Sequence, residues 1–292
     1  MITKPIKLIL KSIFKWLISI LILLLVLVHA SDYFLKMNEA NFKEFLRVNK
    51  IYISEPIKSN KHDLFVVRSK EINRSKPTLL FVHGAPGSWD AFKYFFEDID
   101  LCRDFNLLAY DRFGYGGSAD NDSLTSLKIQ SQSVEDIISH YNLDSVYLIS
   151  HSYGGPIASI VAAKNKAIKG LVLISPAISP NDEKTFWFAW FAIWKSTRWM
   201  LPRSLQVAGV EKENHAEEIR KVQSDFKSIS CKVLIMQSTD DILAPGIGNI
   251  NFVIETFSSA SLSKKIYTDK GHIFLFTEPN IVKEELMVWF NN

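Results

Sequence analysis

Cysteine is nearly absent from these 292 residues: Cys102 and Cys231 stand far apart, with no CxxC pair and no Cys/His spacing of the kind that holds a metal. They read as two lone core thiols, and neither a metal nor a redox cofactor is expected. Net charge is scarce as well. The formal value is +3, but Lys4, Lys7, Lys11 and Lys15 precede the first acidic residue, Asp32, and without them 30 basic residues face 31 acidic ones. A near-neutral body lacks the clustered basic excess of a nucleic-acid surface, so nucleic acid is not an expected partner. Repeats and low-complexity linkers are also missing. With 47% hydrophobic and 22% charged residues the chain has the composition of a folded protein rather than a disordered one. Its length suits one large α/β domain with a short appendage.

The appendage is written in the N-terminal residues. Trp16 to Ala30 read WLISILILLLVLVHA, an apolar run without acid or proline that follows the four lysines. Residues 1–34 therefore read as a membrane-inserting segment. Fifteen apolar residues fall short of the roughly 20 that span a bilayer, and Val28-His29-Ala30 has the small-residue form of a signal cleavage site. An uncleaved anchor is the preferred reading, because Leu8 to Ile13 can lengthen the helix while Lys11 and Lys15 snorkel; a cleaved signal is the alternative. Lysine-rich flanks before the run place the N-terminus in the cytoplasm and the body outside it.

From residue 35 to 292 the chain alternates short β-rich runs with amphipathic stretches. Expected strands are Ile51–Ser54, Leu64–Arg68, Thr78–Val82, Leu107–Tyr110, Val146–Ser150, Leu171–Ser175, Val233–Gln237 and Lys265–Thr268; expected helices are Trp89–Phe96, Ser126–Tyr141, Gly155–Lys164, Ile247–Phe257 and Asn280–Phe290. Runs such as LLFV and LVLI suit central parallel strands buried on both faces. The fold class is α/β, a mostly parallel sheet flanked by helices. Residues 181–229 break the rhythm and read as a helical lid over the carboxyl ends of the strands. Within that lid Trp187, Phe188, Trp190, Phe191, Trp194 and Trp199 are expected to pack inward as its core, and Glu183, Glu211, Glu213, Glu217 and Glu218 to form a solvated face.

Three segments carry chemistry. In VYLISHSYGG (Val146 to Gly155) a strand runs into a helix through Ser152, with small residues two positions to either side. His83-Gly84-Ala85-Pro86-Gly87-Ser88 follows the strand TLLFV and can present a backbone amide. Asp240 and Asp241 follow VLIMQS, and Gly271-His272 follows KKIYT. In this order, together with DRFGYGGS (Asp111 to Ser118), the segments resemble the α/β-hydrolase family from about Ile51 to the C-terminus, although Ser150 stands where the family has glycine.

The resemblance implies Ser152 as nucleophile, His272 as base and a carboxylate orienting it, with the amides of Ala85 and Tyr153 as oxyanion hole. Family spacing to Pro245 favours Asp241 over Asp240 for the carboxylate. His151 is a lesser candidate base, His83 a brace for its loop, and Asp111 and Arg112 structural residues pairing within the fold. Serine at the elbow excludes the relatives that work through an aspartyl ester. The expected activity is hydrolysis of a small-molecule acyl substrate, a carboxylic ester and possibly a lipophilic one, without cofactor. An aminopeptidase resembling proline iminopeptidases and a silent ligand-binding protein are the alternatives.

Overall fold

Eight strands align in one sheet in the order β1-β4-β6-β5-β7-β8-β9-β10, and two more form a separate hairpin, β2-β3. The computed structural model describes residues 4–35, 39–118, 124–184 and 189–291. The main sheet comprises β1 Tyr52–Ile53, β4 Val66–Arg68, β5 Thr78–Val82, β6 Asn106–Tyr110, β7 Val146–His151, β8 Ile168–Ile174, β9 Lys232–Ser238 and β10 Ser261–Tyr267; the hairpin pairs β2 Ile57–Ser59 with β3 His62–Leu64. Strands β6 to β10 and β5 pair in parallel, while β1 and β4 are antiparallel to their neighbours.

Burial explains the central position of the apolar runs. Every residue of β5 and β6 is buried, as parallel strands covered on both faces require. The outer strand β10 is largely exposed and carries Lys264 and Lys265, charges that discourage edge-to-edge pairing. Two apolar clusters cover the sheet. Helices Leu127–His140, Gly154–Lys164 and Gly246–Thr256 enclose one; Trp89 to Phe96, Ile99–Asp104 and Pro279–Phe290 enclose the other.

The N-terminal helix is longer than the apolar run suggested. It extends over Lys4–Leu35, and Ile9–Ala30, 22 residues with mean hydropathy 2.5, has no buried residue. At 1.5 Å per residue that segment is about 33 Å long, the thickness of a bilayer core. A signal sequence satisfies the same criterion of length and composition.

The segment read as a lid lies between β8 and β9, and its described residues form helices Trp190–Ile193, Lys195–Arg198 and Arg203–Val222 and a 3₁₀ stretch Gln223–Ser228. Two expectations about it are corrected. Trp190, Phe191, Trp194 and Trp199 are exposed rather than packed as a lid core. The reason is a close approach of backbones: a Cβ on Gly209 would lie 2.4 Å from the Cβ of Ala192, so the short helices turn their small residue inward and their aromatics out. Trp187 and Phe188 fall outside the described residues. Glu211 and Glu218 are buried, not solvated, whereas Glu213 and Glu217 do face water.

Glu183 joins the lid's polar interior, bonding His215 at 2.6 Å and pairing with Lys212. Burial alone would raise its pKa, but the His215 charge and hydrogen bond, with Lys212, hold the carboxyl at about 2. A carboxylate depressed in the folded state stabilises above its unfolded value near 4.3, and that contribution is lost as pH falls towards about 2. Acid titration of wild type between pH 5 and 2, followed by tryptophan fluorescence, is therefore expected to loosen the lid, at a cost of order 1–3 kcal/mol. Glu183→Gln should flatten this limb; an unchanged acid limb would refute the assignment.

Candidate functional site

The catalytic candidates lie beyond the carboxyl ends of the parallel strands: the His83–Ser88 turn after β5, Ser152 at the end of β7, Asp241 after β9 and His272 after β10. Ligand sites of parallel sheets gather at this edge.

Ser152 is 8% exposed and has φ +50°, a left-handed conformation that costs a non-glycine residue about 1–2 kcal/mol. Hydrogen bonds on both sides hold it there. Its amide donates to Ile174 O at 3.0 Å, and its carbonyl accepts from Gly155 N at 2.9 Å and Ala177 N at 3.2 Å. The small neighbours are needed because the turn presses on β5: a Cβ at Gly154 would lie 2.3 Å from Val82 O and 2.9 Å from His83 O. Ser150, two residues before Ser152, is buried, and its Oγ donates to Val172 O at 2.8 Å. Gly154→Ala is expected to destabilise by about 2–3 kcal/mol through backbone displacement. Gly271→Ala, with nothing within 4 Å of the added carbon, should stay within about 0.5 kcal/mol of wild type. Equal thermal midpoints for the two variants would contradict the packing argument.

His272 Nε2 lies 2.9 Å from Ser152 Oγ, and its Nδ1 lies 2.7 Å from Asp241 Oδ2. Asp241 is buried and held at both oxygens. Oδ1 accepts from the amides of Leu243 and Ala244, each at 2.9 Å, and Oδ2 also accepts from Gln237 Nε2 at 3.0 Å. Burial pushes its pKa up, yet the His272 hydrogen bond and charge, with the two amides, bring it below the usual carboxylate range. An ionised Asp241 fixes the His272 proton on Nδ1 and leaves Nε2 free to take one from Ser152. Asp240 lies outside this line, its carboxylate accepting from Thr239 Oγ1 at 3.2 Å.

His151 is close but differently employed. Its Nε2 lies 3.2 Å from the carbonyl oxygen of His272, and the two rings are 5.1 Å apart. Burial, reinforced by the neighbouring His272 charge, lowers its pKa to about 3, so it is a neutral donor to that carbonyl. Gly84 of the His83–Ser88 turn touches the site directly, since a Cβ there would lie 3.0 Å from Ser152 Cβ. Ala85 precedes a cis Pro86 in the same turn, and Tyr153, buried, opens the helix Gly154–Lys164. His83 accepts from Arg112 N at 2.9 Å through Nε2 and contacts Gly84 O through Nδ1. Asp111 and Arg112 do not pair with each other. Asp111 accepts from Trp89 N and Gly117 N, both at 2.7 Å, while Arg112 pairs with Glu211 of the lid.

Sequence reading missed Gln237, Glu211 and the Glu183–His215 pair. Only Gln237 carried a signal, a polar residue directly after the apolar run Val233–Met236. Among the described residues no group of three or more His, Cys, Asp or Glu side chains is arranged to hold a metal ion.

Known proteins resemble this chain in sequence and in fold. A family model described as the alpha/beta hydrolase fold matches residues 77–198. The Arabidopsis thaliana protein named "Probable lysophospholipase BODYGUARD 4" is 35% identical over 39% of this chain, a match spanning 28% of that relative's length. An α/β hydrolase enzyme, MGS-M2, from a Medee basin deep-sea metagenome library superposes with TM-score 0.66 at 17% identity, covering 82% of this chain and 98% of its own. A membrane phospholipase A described as a bacterial virulence factor superposes with TM-score 0.63 at 16% identity, covering 99% of this chain and 98% of its own. With its strand order, its strand-end site and the matched segment 77–198, the chain is a protein of the α/β-hydrolase fold.

Proposed function

We propose that the protein is a membrane-associated serine hydrolase that cleaves a carboxylic ester through an acyl-enzyme. One observation carries the reading: the continuous line Ser152 Oγ, His272 Nε2, His272 Nδ1, Asp241 Oδ2, with spacings of 2.9 and 2.7 Å. Ser152 Oγ bonds to the acyl carbon as its proton passes to His272 Nε2, and the carbonyl oxygen becomes an oxyanion facing the amides of Ala85 and Tyr153. Collapse breaks the carbon–oxygen bond of the ester, and His272 returns the proton to the leaving alcohol. Water then repeats the sequence on the acyl-serine, releasing the acid.

A lipophilic ester is the favoured substrate class. Trp190, Phe191, Trp194 and Trp199 on the lid, Ile242 and Leu243 after Asp241, and Ile273 after His272 are all exposed apolar side chains. Residues of this kind can enter a lipid interface, and the N-terminal helix would hold them near one. The lysophospholipase and phospholipase names of the relatives accord with such a substrate. The lysines before Trp16 favour an extracytoplasmic catalytic domain. The aminopeptidase alternative needs a lid glutamate to hold the substrate amine, and Glu211, Glu183, Glu218 and Glu217 are already engaged by protein donors, which leaves Glu213.

The test is labelling of the full-length protein with a fluorophosphonate, with turnover of p-nitrophenyl esters of increasing chain length. Labelling of wild type and a preference for long acyl chains are expected. Preference for the shortest ester would remove the lipophilic substrate, and no labelling would remove the hydrolase.

A further inference from the structure

Arg112 is wholly buried, yet four of its five N–H donors are spent within the fold. Nη1 and Nη2 bond the two carboxylate oxygens of Glu211 at 2.6 and 3.1 Å. Nε donates to His83 O at 3.0 Å, and Nη2 also to Gly84 O at 2.9 Å. Those carbonyls belong to the turn that carries Ala85. The guanidinium carbon also lies over two aromatic rings, 4.9 Å from the centre of Tyr115 and 4.6 Å from that of Tyr153. One side chain therefore touches both segments that carry the proposed oxyanion amides, those of Ala85 and Tyr153. The carbonyls it grips orient the peptide planes of the turn, and the ring it packs against belongs to the residue after Ser152.

The Glu211 carboxylate comes from a distant part of the chain, the lid helix Arg203–Val222, and is itself immobilised. Besides Arg112, it accepts from Tyr115 OH at 2.7 Å and Gln130 Nε2 at 3.0 Å. One turn further along the same helix face, the His215 ring stacks on Tyr153 with centroids 4.3 Å apart and planes 24° apart. The lid helix therefore bears on the oxyanion segments twice, through Arg112 and through Tyr153.

We propose that Glu211 is a positioning residue: a lid-borne carboxylate that, through Arg112, holds the His83–Gly84 turn and Tyr153 in the geometry that binds the oxyanion. The proposal rests on the serine-hydrolase reading above. A fixed donor is worth more than a mobile one because no reorganisation is needed as charge develops. The lid helix is then part of the catalytic geometry rather than only a cover over it.

Arg112→Lys separates positioning from stabilisation. Lysine keeps the charge opposite Glu211 but has no planar fork to hold two carbonyls at once. In the full-length protein with p-nitrophenyl butyrate, Arg112→Lys is expected to lower kcat about 100-fold, as loss of one oxyanion donor does, with KM within about threefold of wild type. Fluorophosphonate labelling should slow in parallel. The paired change Arg112→Met/Glu211→Leu removes both charges together, and uncharged replacement of a buried pair is commonly neutral for stability. It also leaves His83 O, Gly84 O and Tyr115 OH without these partners, so the thermal midpoint should fall, and the folded variant should show the same loss of kcat. Glu211→Gln covers the case in which the double variant does not fold, with an expected loss of about 10-fold in kcat. Wild-type kcat in any folded variant of the three would overturn the proposal, as would a rise in KM without a fall in kcat. Ser152→Ala runs alongside: labelling that survives this change, or is missing from wild type, would refute the hydrolase reading and the positioning role with it.

Discussion

Ser152→Ala is expected to lower kcat on p-nitrophenyl butyrate by about 10⁶-fold and to abolish fluorophosphonate labelling, while the fold is retained. The side chain removed is one oxygen, and the main chain around it is held independently by Ile174 O, Gly155 N and Ala177 N, so the elbow should keep its shape. Alanine at φ +50° bears the same strain as serine, and the thermal midpoint should change little. The loss is so large because the line of hydrogen bonds works as a unit: His272 with no Oγ to deprotonate activates nothing. For the same reason Ser152→Ala/His272→Ala should be no slower than either single variant. Residual turnover above about one part in a thousand, beyond what an oxyanion hole alone supplies, would sink the nucleophile assignment.

Where the sequence was informative, the signal was local. The buried strands β5 and β6 and the Gly170–Ile174 part of β8 are apolar runs, and the His83–Ser88 turn and the Ser152 elbow each follow a buried strand directly, whereas His272 follows the largely exposed β10. What escaped depended on distant partners or on unusual local chemistry. Glu211 sits in a stretch dense in charge and reads as solvated; its burial depends on Arg112, 99 residues away in sequence. The hairpin β2-β3 turns at Asn60 and Lys61, both at positive φ and neither a glycine, so the usual marker of a tight turn is missing. The lid aromatics read as an inward-packed core, whereas Trp190–Ile193 and Lys195–Arg198 are single turns with room to bury little more than Ala192. At the N-terminus, Lys11 and Lys15 interrupt the apolar run but not the helix, which takes in Leu8 to Ile13 as expected and continues to Leu35.

The adjacent aspartates give the sharpest test of what geometry adds to spacing. Asp241→Asn is expected to lower kcat about 10⁴-fold, and Asp240→Asn to leave it within about twofold. The size of the first effect follows from hydrogen-bond polarity. Leu243 N and Ala244 N both donate to Oδ1, so the amide oxygen of an asparagine must occupy that place. Its NH₂ then falls where Oδ2 was, pointing a donor at His272 Nδ1. Gln237 can accommodate the exchange, because its Oε1 is buried without a partner and can turn to accept. His272 cannot accommodate it and remain a base: with Nδ1 accepting, the ring proton moves to Nε2, which then faces Ser152 Oγ as a donor. The variant should fold, bind ester with a KM near that of wild type and fail at proton transfer. Activity lost on changing Asp240 instead, or Asp241→Asn retaining more than about a tenth of kcat, would show that the carboxylate at 2.7 Å is not the one that orients the imidazole.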